Sequence, residues 1–141
     1  MHRVLITGGS GFVGHNLIDF ILRETKYKIV SMSRTASNIH PESIDRLKNI
    51  HHDLRQPIGK KISTEIGKVD YIIHLAGSTH TKKSIVEPIN FVLDNVVGTA
   101  NLLEFARERS TDLKQFFYLS TAEIFGPSPA GITFKDDNVF R

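Results

Sequence analysis

A bare glycine turn between an apolar run and an amphipathic pattern restricts this chain more than any other feature. The turn is Thr7-Gly8-Gly9-Ser10-Gly11-Phe12-Val13-Gly14. Before it, Arg3–Thr7 reads as a short buried strand; after it, Phe12–Glu24 places Val13, Leu17, Phe20 and Ile21 at helical spacing. Gly8 permits the tight turn, Gly11 lets the backbone approach a ligand, and Gly14 lets the helix pack closely on the strand. The freed N–H groups and the positive helix end then face outward together, an arrangement that suits a diphosphate. The spacing is Gly-x-x-Gly-x-x-Gly, not Gly-x-Gly-x-x-Gly, and its strand–turn–helix setting is what gives it weight.

The remaining chain alternates short β-branched runs with helical segments. Lys28–Met32, Asn49–His52, Val69–Leu75 and Gln115–Ser120 read as further strands, the last nearly all apolar and therefore expected at the sheet centre. Thr35–Pro41, rich in Ser, Thr and Asn, suits a loop beside a site. Pro88–Arg109 is the longest helical pattern, with Phe91, Val92, Asn95, Val96, Thr99, Leu102, Leu103 and Ala106 recurring three or four apart. Strand, helix, strand, repeated with right-handed crossovers, predicts an α/β fold: a Rossmann-type doubly wound parallel sheet, truncated after the fifth strand. Residues 1–126 are expected to form the dinucleotide-binding domain. From Gly126-Pro127-Ser128-Pro129 onward, residues 127–141 are expected to be a loop or tail.

Composition narrows the function classes. The chain of 141 residues lacks cysteine, so disulfide frameworks, thiolate metal sites and cysteine nucleophiles are excluded. Eighteen basic against fifteen acidic side chains give +3, scattered without the clustered basic face that nucleic acid requires. No apolar stretch reaches the length of a membrane span, and the start breaks into glycines too early for a signal core. A cytoplasmic protein is expected. Among seven histidines, adjacent His51 and His52 would point to opposite strand faces, and no other spacing suggests a metal site. Gly59-Lys60 and Gly67-Lys68 lack the frame of a nucleotide P-loop, and Ser10 lacks that of a nucleophile elbow.

At the tip of the second strand an acid would bond the ribose hydroxyls of NAD, whereas an arginine can pair the 2′-phosphate of NADP. Here the tip reads Ser31-Met32-Ser33-Arg34-Thr35, which leans toward NADP over NAD.

With these residues placed, the chain from Arg3 to about Gly126 resembles the extended short-chain dehydrogenase/reductase family, the nucleotide-sugar epimerases, dehydratases and decarboxylases. Gly8, Gly9, Ser10, Gly11, Phe12, Val13 and Gly14 look like its cofactor loop. Asp53-Leu54 look like its adenine-contacting pair, and His74-Leu75-Ala76-Gly77 like the turn under the cofactor. Asn95-x-x-Gly98-Thr99 is similar to its central-helix motif, and Ser120-Thr121-Ala122-Glu123-Ile124-Phe125-Gly126 to its Ser-Thr-x-Glu-x-Tyr-Gly segment.

The resemblance implies that Thr121 polarises a sugar carbonyl and that Glu123 abstracts a proton beside the oxidised carbon. It also implies a substrate crevice near His80 and Ser84, a nucleotide-sugar substrate and a homo-oligomer. Ser78-Thr79-His80-Thr81-x-x-Ser84 and Glu123 lean toward the dehydratase and decarboxylase branch. Ala122 stands where dTDP-glucose dehydratases carry an aspartate, so GDP-mannose dehydratases and UDP-glucuronate decarboxylases resemble this segment better.

One departure is large. The family's chemistry depends on Tyr-x-x-x-Lys, and the three tyrosines here, Tyr27, Tyr71 and Tyr118, are followed four residues on by Ser31, Leu75 and Ala122. The expectation is the N-terminal portion of a longer enzyme, inactive alone, that self-associates or carries a poorly ordered tail. The competing expectation is a non-catalytic dinucleotide-binding module; an RNA-associated member of the superfamily is disfavoured by the scattered charge.

Overall fold

A computed structural model describes residues 1–35, 45–109 and 111–126. The predicted loop beyond Thr35 and the predicted 127–141 tail lie outside them. Five strands form one sheet: β1 (Arg3–Thr7), β2 (Lys28–Ser33), β3 (Leu47–His51), β4 (Tyr71–His74) and β5 (Gln115–Tyr118). Their order is β3-β2-β1-β4-β5, with every neighbouring pair parallel. Thr7 is level with Met32 on one side and His74 on the other, and His74 is level with Tyr118. All carboxyl ends therefore reach one rim, and the strand order reverses at β1. A crevice opens at such a switch point because the chain leaves the two strands toward opposite faces.

Side-chain alternation along β1 divides the core between the two faces of the sheet. Val4 and Ile6 pack with Ile29 of β2 and with Ile18, Ile21 and Leu22 of α1 (Phe12–Glu24). Leu5 faces the other way, onto Val30, Ile72, Leu102 and Phe105. The latter two come from α5 (Gly98–Glu108), and Ile66 joins them from α2 (Lys60–Ile66). That short helix was not among the expected elements, although Ile62 and Ile66 stand four apart as a helix resting on a sheet requires.

Several expectations need correction. The buried face of α1 is Gly14, Ile18, Ile21 and Leu22, while Val13 and Phe20 are half exposed. The apolar pattern of this helix runs nearly all round it, and close contact at Gly14 fixes which stripe faces the sheet. The single long helix expected over Pro88–Arg109 is α4 (Pro88–Val92), a π turn (Leu93–Val97) and α5. Another short helix, α3 (Thr81–Val86), precedes it. Leu102 and Ala106 point inward with Phe105, but Val92, Val96 and Leu103 face away from the core. β5 is outermost among the described strands, not central. Only its Phe116 packs on the core, and Phe117, Tyr118 and Leu119 are about half exposed. Its two apolar faces imitate a buried central strand.

Candidate functional site

The site is built on the carboxyl rim. Gly8 leaves β1 with φ +73°, and its amide donates to Met32 O (2.9 Å), which ties the turn to β2. A Cβ at position 8 would stand 2.8 Å from the Ala76 amide nitrogen, so the turn lies directly against the loop after β4. Gly11 caps α1 without a side-chain hydrogen bond, and the first turn holds no acid. The first amides of a helix have no intrahelical partner, so this end suits an anion.

Gly9 and Gly14 serve packing. A Cβ on Gly9 would meet the buried Ser31 hydroxyl at 2.1 Å, and one on Gly14 would meet Gly8 O at 2.3 Å. Of the two side chains expected at the cofactor, Phe12 projects into solvent and Val13 is half exposed.

A cleft of about 320 Å³ runs from this turn toward β2 and β3. It brings together Gly8, Ser10, Gly11, Ser33, Arg34, Asp53, Leu54, Leu75, Ala76 and Gly77, all expected from the sequence, and adds Arg55 and Asp94. Asp94 sits in the π turn, 12% exposed. It accepts from Arg55 Nε (2.7 Å) and the Ser78 hydroxyl (2.5 Å), and Arg34 Nη1 lies 3.6 Å away. The bonded Arg55 guanidinium, helped by Ser78 and Arg34, holds the Asp94 carboxyl below the ordinary carboxylate range against the cost of burial. Sequence reasoning missed this pair because its members are 39 residues apart; the nearest signal was Arg55 two places after Asp53.

Leu75, Ala76 and Gly77 also border a second cleft, lined on its far side by Ser78, Thr81, Ser84, Asn95, Tyr118, Thr121 and Glu123. Asn95 holds the loop between the clefts: Oδ1 accepts from Ser78 N (2.7 Å) and Nδ2 donates to Ser78 O (2.9 Å). Thr121 Oγ1 accepts from the Glu123 amide (3.2 Å), capping the 3₁₀ turn Ala122–Phe125, and among the described residues its own proton has no acceptor. Glu123 Oε1 accepts from the Thr81 hydroxyl (3.2 Å) across the cleft mouth. Ser84 lines the cleft; His80 is exposed just before α3 and does not. Among the described residues no cluster of His, Asp and Glu could hold a metal ion. None of their helices is long and apolar enough to cross a membrane.

A buried hydrogen-bond chain supports the floor of both clefts. Thr99 Oγ1 donates to Asn95 O (2.6 Å), so at 2.9 Å it must accept from His74 Nε2–H. Nδ1 of His74 is then an acceptor for the Thr7 hydroxyl (2.6 Å), whose oxygen accepts from Ala76 N (3.3 Å). This order requires the neutral Nε2–H tautomer, and burial pushes the His74 pKa down, favouring the neutral ring.

The profile of the NAD dependent epimerase/dehydratase family matches residues 4–139. A dTDP-glucose 4,6-dehydratase of Escherichia coli is 31% identical over 150 residues, covering 97% of this chain and 41% of that enzyme. Among solved structures, a UDP-N-acetylglucosamine 4-epimerase from Methanobrevibacter ruminantium M1, in complex with UDP-N-acetylmuramic acid, superposes with TM-score 0.82 at 22% identity. That match covers 99% of this chain and 44% of the epimerase. MoeE5, solved in complex with UDP-glucose and NAD, gives TM-score 0.81 at 21% identity, with 99% of this chain and 42% of MoeE5 covered. The chain thus spans about two fifths of the length of these relatives. At such identities the structures speak for the fold, and the profile match speaks for descent: this chain belongs to the NAD dependent epimerase/dehydratase family.

Proposed function

We propose that residues 1–126 bind a nicotinamide dinucleotide as the cofactor domain of a nucleotide-sugar epimerase or dehydratase. One observation carries this reading: the two clefts adjoin along the carboxyl rim, sharing Leu75, Ala76 and Gly77, with the bare N-terminus of α1 lining the first together with Arg34 and Asp53, and Thr121 and Glu123 lining the second. Gly8–Gly11 would hold the diphosphate, Asp53 and Leu54 the adenosine, and the Ala76–Ser78 loop would border the rest of the cofactor. When bound, that cofactor supplies a hydride acceptor for a sugar carbon. Thr121 would donate a hydrogen bond to the sugar oxygen and so polarise the carbonyl, and Glu123 is placed to take a proton from the neighbouring carbon. Tyr118 lines the second cleft but has Ala122, not lysine, four residues on. The chain by itself is therefore expected to bind cofactor without turnover.

The lean toward NADP rests on Arg34, whose side chain is 58% exposed at the tip of β2 with no acid beside it in sequence. Calorimetric titration is expected to show both dinucleotides binding, NADP more tightly. Arg34→Asp should weaken NADP by about tenfold or more, the scale of one lost charge-assisted contact, and NAD much less. If neither dinucleotide binds, the reading fails; if Arg34→Asp weakens both equally, the NADP lean fails.

Self-association belongs to the same proposal. Ile85, Val86 and Ile89 are each at least 70% exposed, and Val92, Val96 and Leu103 continue that apolar surface along α4, the π turn and α5. Light scattering is expected to give at least twice the monomer mass; a monomer at high micromolar concentration refutes this part.

A further inference from the structure

Four charged side chains line the first cleft: Arg34, Arg55, Asp53 and Asp94. Their formal charges cancel, so a 2′-phosphate arriving there meets no net positive field. The geometry is nevertheless unequal. Asp94 is bound tightly to Arg55 Nε at 2.7 Å, and this pair is the more buried, at 12% and 27% exposure. Arg34 stands at 3.6 Å and is 58% exposed, so it is held loosely from the far wall of the cleft. Asp94 is held independently by the Ser78 hydroxyl and stays in place if Arg34 leaves.

Resting on the cofactor reading above, we propose that Asp94 is a specificity-determining residue that competes with the cofactor 2′-phosphate for Arg34. With NAD, which has no 2′-phosphate, the Arg34–Asp94 pair is undisturbed. With NADP, Arg34 must turn from Asp94 to the phosphate, and the Asp94 carboxylate stays behind as a like charge facing the new anion. The loss is modest because the pair is exposed and long. The gain is larger because a guanidinium–phosphate contact joins a full cation to a group carrying up to two charges. NADP preference is thus reduced by Asp94, and the residue that decides it lies in the central helix as well as at the tip of β2.

The test is titration of the 141-residue chain with NAD and with NADP for wild type, Asp94→Asn, Arg34→Met and the double variant. Asp94→Asn is expected to raise the NADP-to-NAD affinity ratio about three- to tenfold, the scale set by losing one exposed ion pair and one like charge. In the Arg34→Met background only the like-charge part remains, so the same substitution should raise the ratio by less than it does in the wild type. Asp94→Ser, with thermal melting of each variant, carries the test if the asparagine variant folds poorly. A ratio that Asp94→Asn leaves unchanged or lowers, while NAD still binds the wild type, overturns this proposal alone. Failure of the wild type to bind either dinucleotide overturns the cofactor reading, and this proposal with it.

Discussion

Gly14→Val is expected to lower the thermal midpoint by about 10 °C and to abolish measurable dinucleotide binding. The Cβ would stand 2.3 Å from Gly8 O, 2.8 Å from Gly9 Cα and 2.9 Å from Gly8 C. All three are backbone atoms, so no side chain can rotate away. Either α1 moves off β1, or the turn moves into the diphosphate position. Overpacking of this kind costs about 3 kcal/mol, and in a domain of this size that is roughly 10 °C. Helix propensity works the other way: glycine inside a helix is about 0.5–1 kcal/mol worse than alanine, so Gly14→Ala should fall between. Gly59→Ala is the control. Its Cβ would meet nothing within 4 Å and its φ is −66°, so stability should change by less than about 0.5 kcal/mol. Calorimetric melting that leaves Gly14→Val at the wild-type midpoint would show that α1 does not approach the turn this closely.

The same contact explains how much of the site could be read from the sequence. Gly8 and Gly14 are local devices: a positive φ and a close approach are needed within one turn of chain, so the residue types announce them. The strand order and the rim of carboxyl ends follow from the alternation of elements, because parallel strands need crossovers of one hand. Legibility ends where partners are distant in sequence. Arg55 and Asp94 meet only because the π turn brings the central helix to the end of β3, and nothing near either residue encodes the other. β5 misled for a different reason. Apolar residues on both faces specify two covered faces, and they do not specify which element covers them; here Phe117 and Tyr118 remain about half exposed. Ser84 and Thr81 reached the cleft because α3 follows the β4 loop at once, whereas His80, one residue earlier, points elsewhere.

His74 gives the larger test of the buried chain, because its protonation state and the loop geometry are one question. Below pH 6.5 an unfolded chain binds a proton at this histidine, while the folded chain, whose His74 pKa is lowered by burial, resists it. The unfolded state then holds more protons, so stability present above pH 6.5 is lost as pH falls toward the folded value, by at most about 1.4 kcal/mol per pH unit for this group. Asp70 titrates in a separate window. The Arg3 amide, with His2 and Lys114, holds its pKa at about 2 against an ordinary 3.8, so its contribution is retained until pH drops below about 4. Urea unfolding at pH 7.5 and 5.5 therefore isolates the histidine from Asp70. His74→Phe should remove this part of the pH dependence. It should also lower stability at pH 7.5 by about 2–4 kcal/mol, since Thr7, fully buried, loses the acceptor for its hydroxyl and the ring loses its bond to Thr99. Because Thr7 Oγ1 also receives the Ala76 amide, the loop shared by both clefts loosens with it, and dinucleotide affinity should fall in parallel. A wild type and a His74→Phe variant with the same slope between pH 7.5 and 5.5 would mean that the ring is not kept neutral by the fold, and the directional chain from Ala76 to Asn95 would not hold.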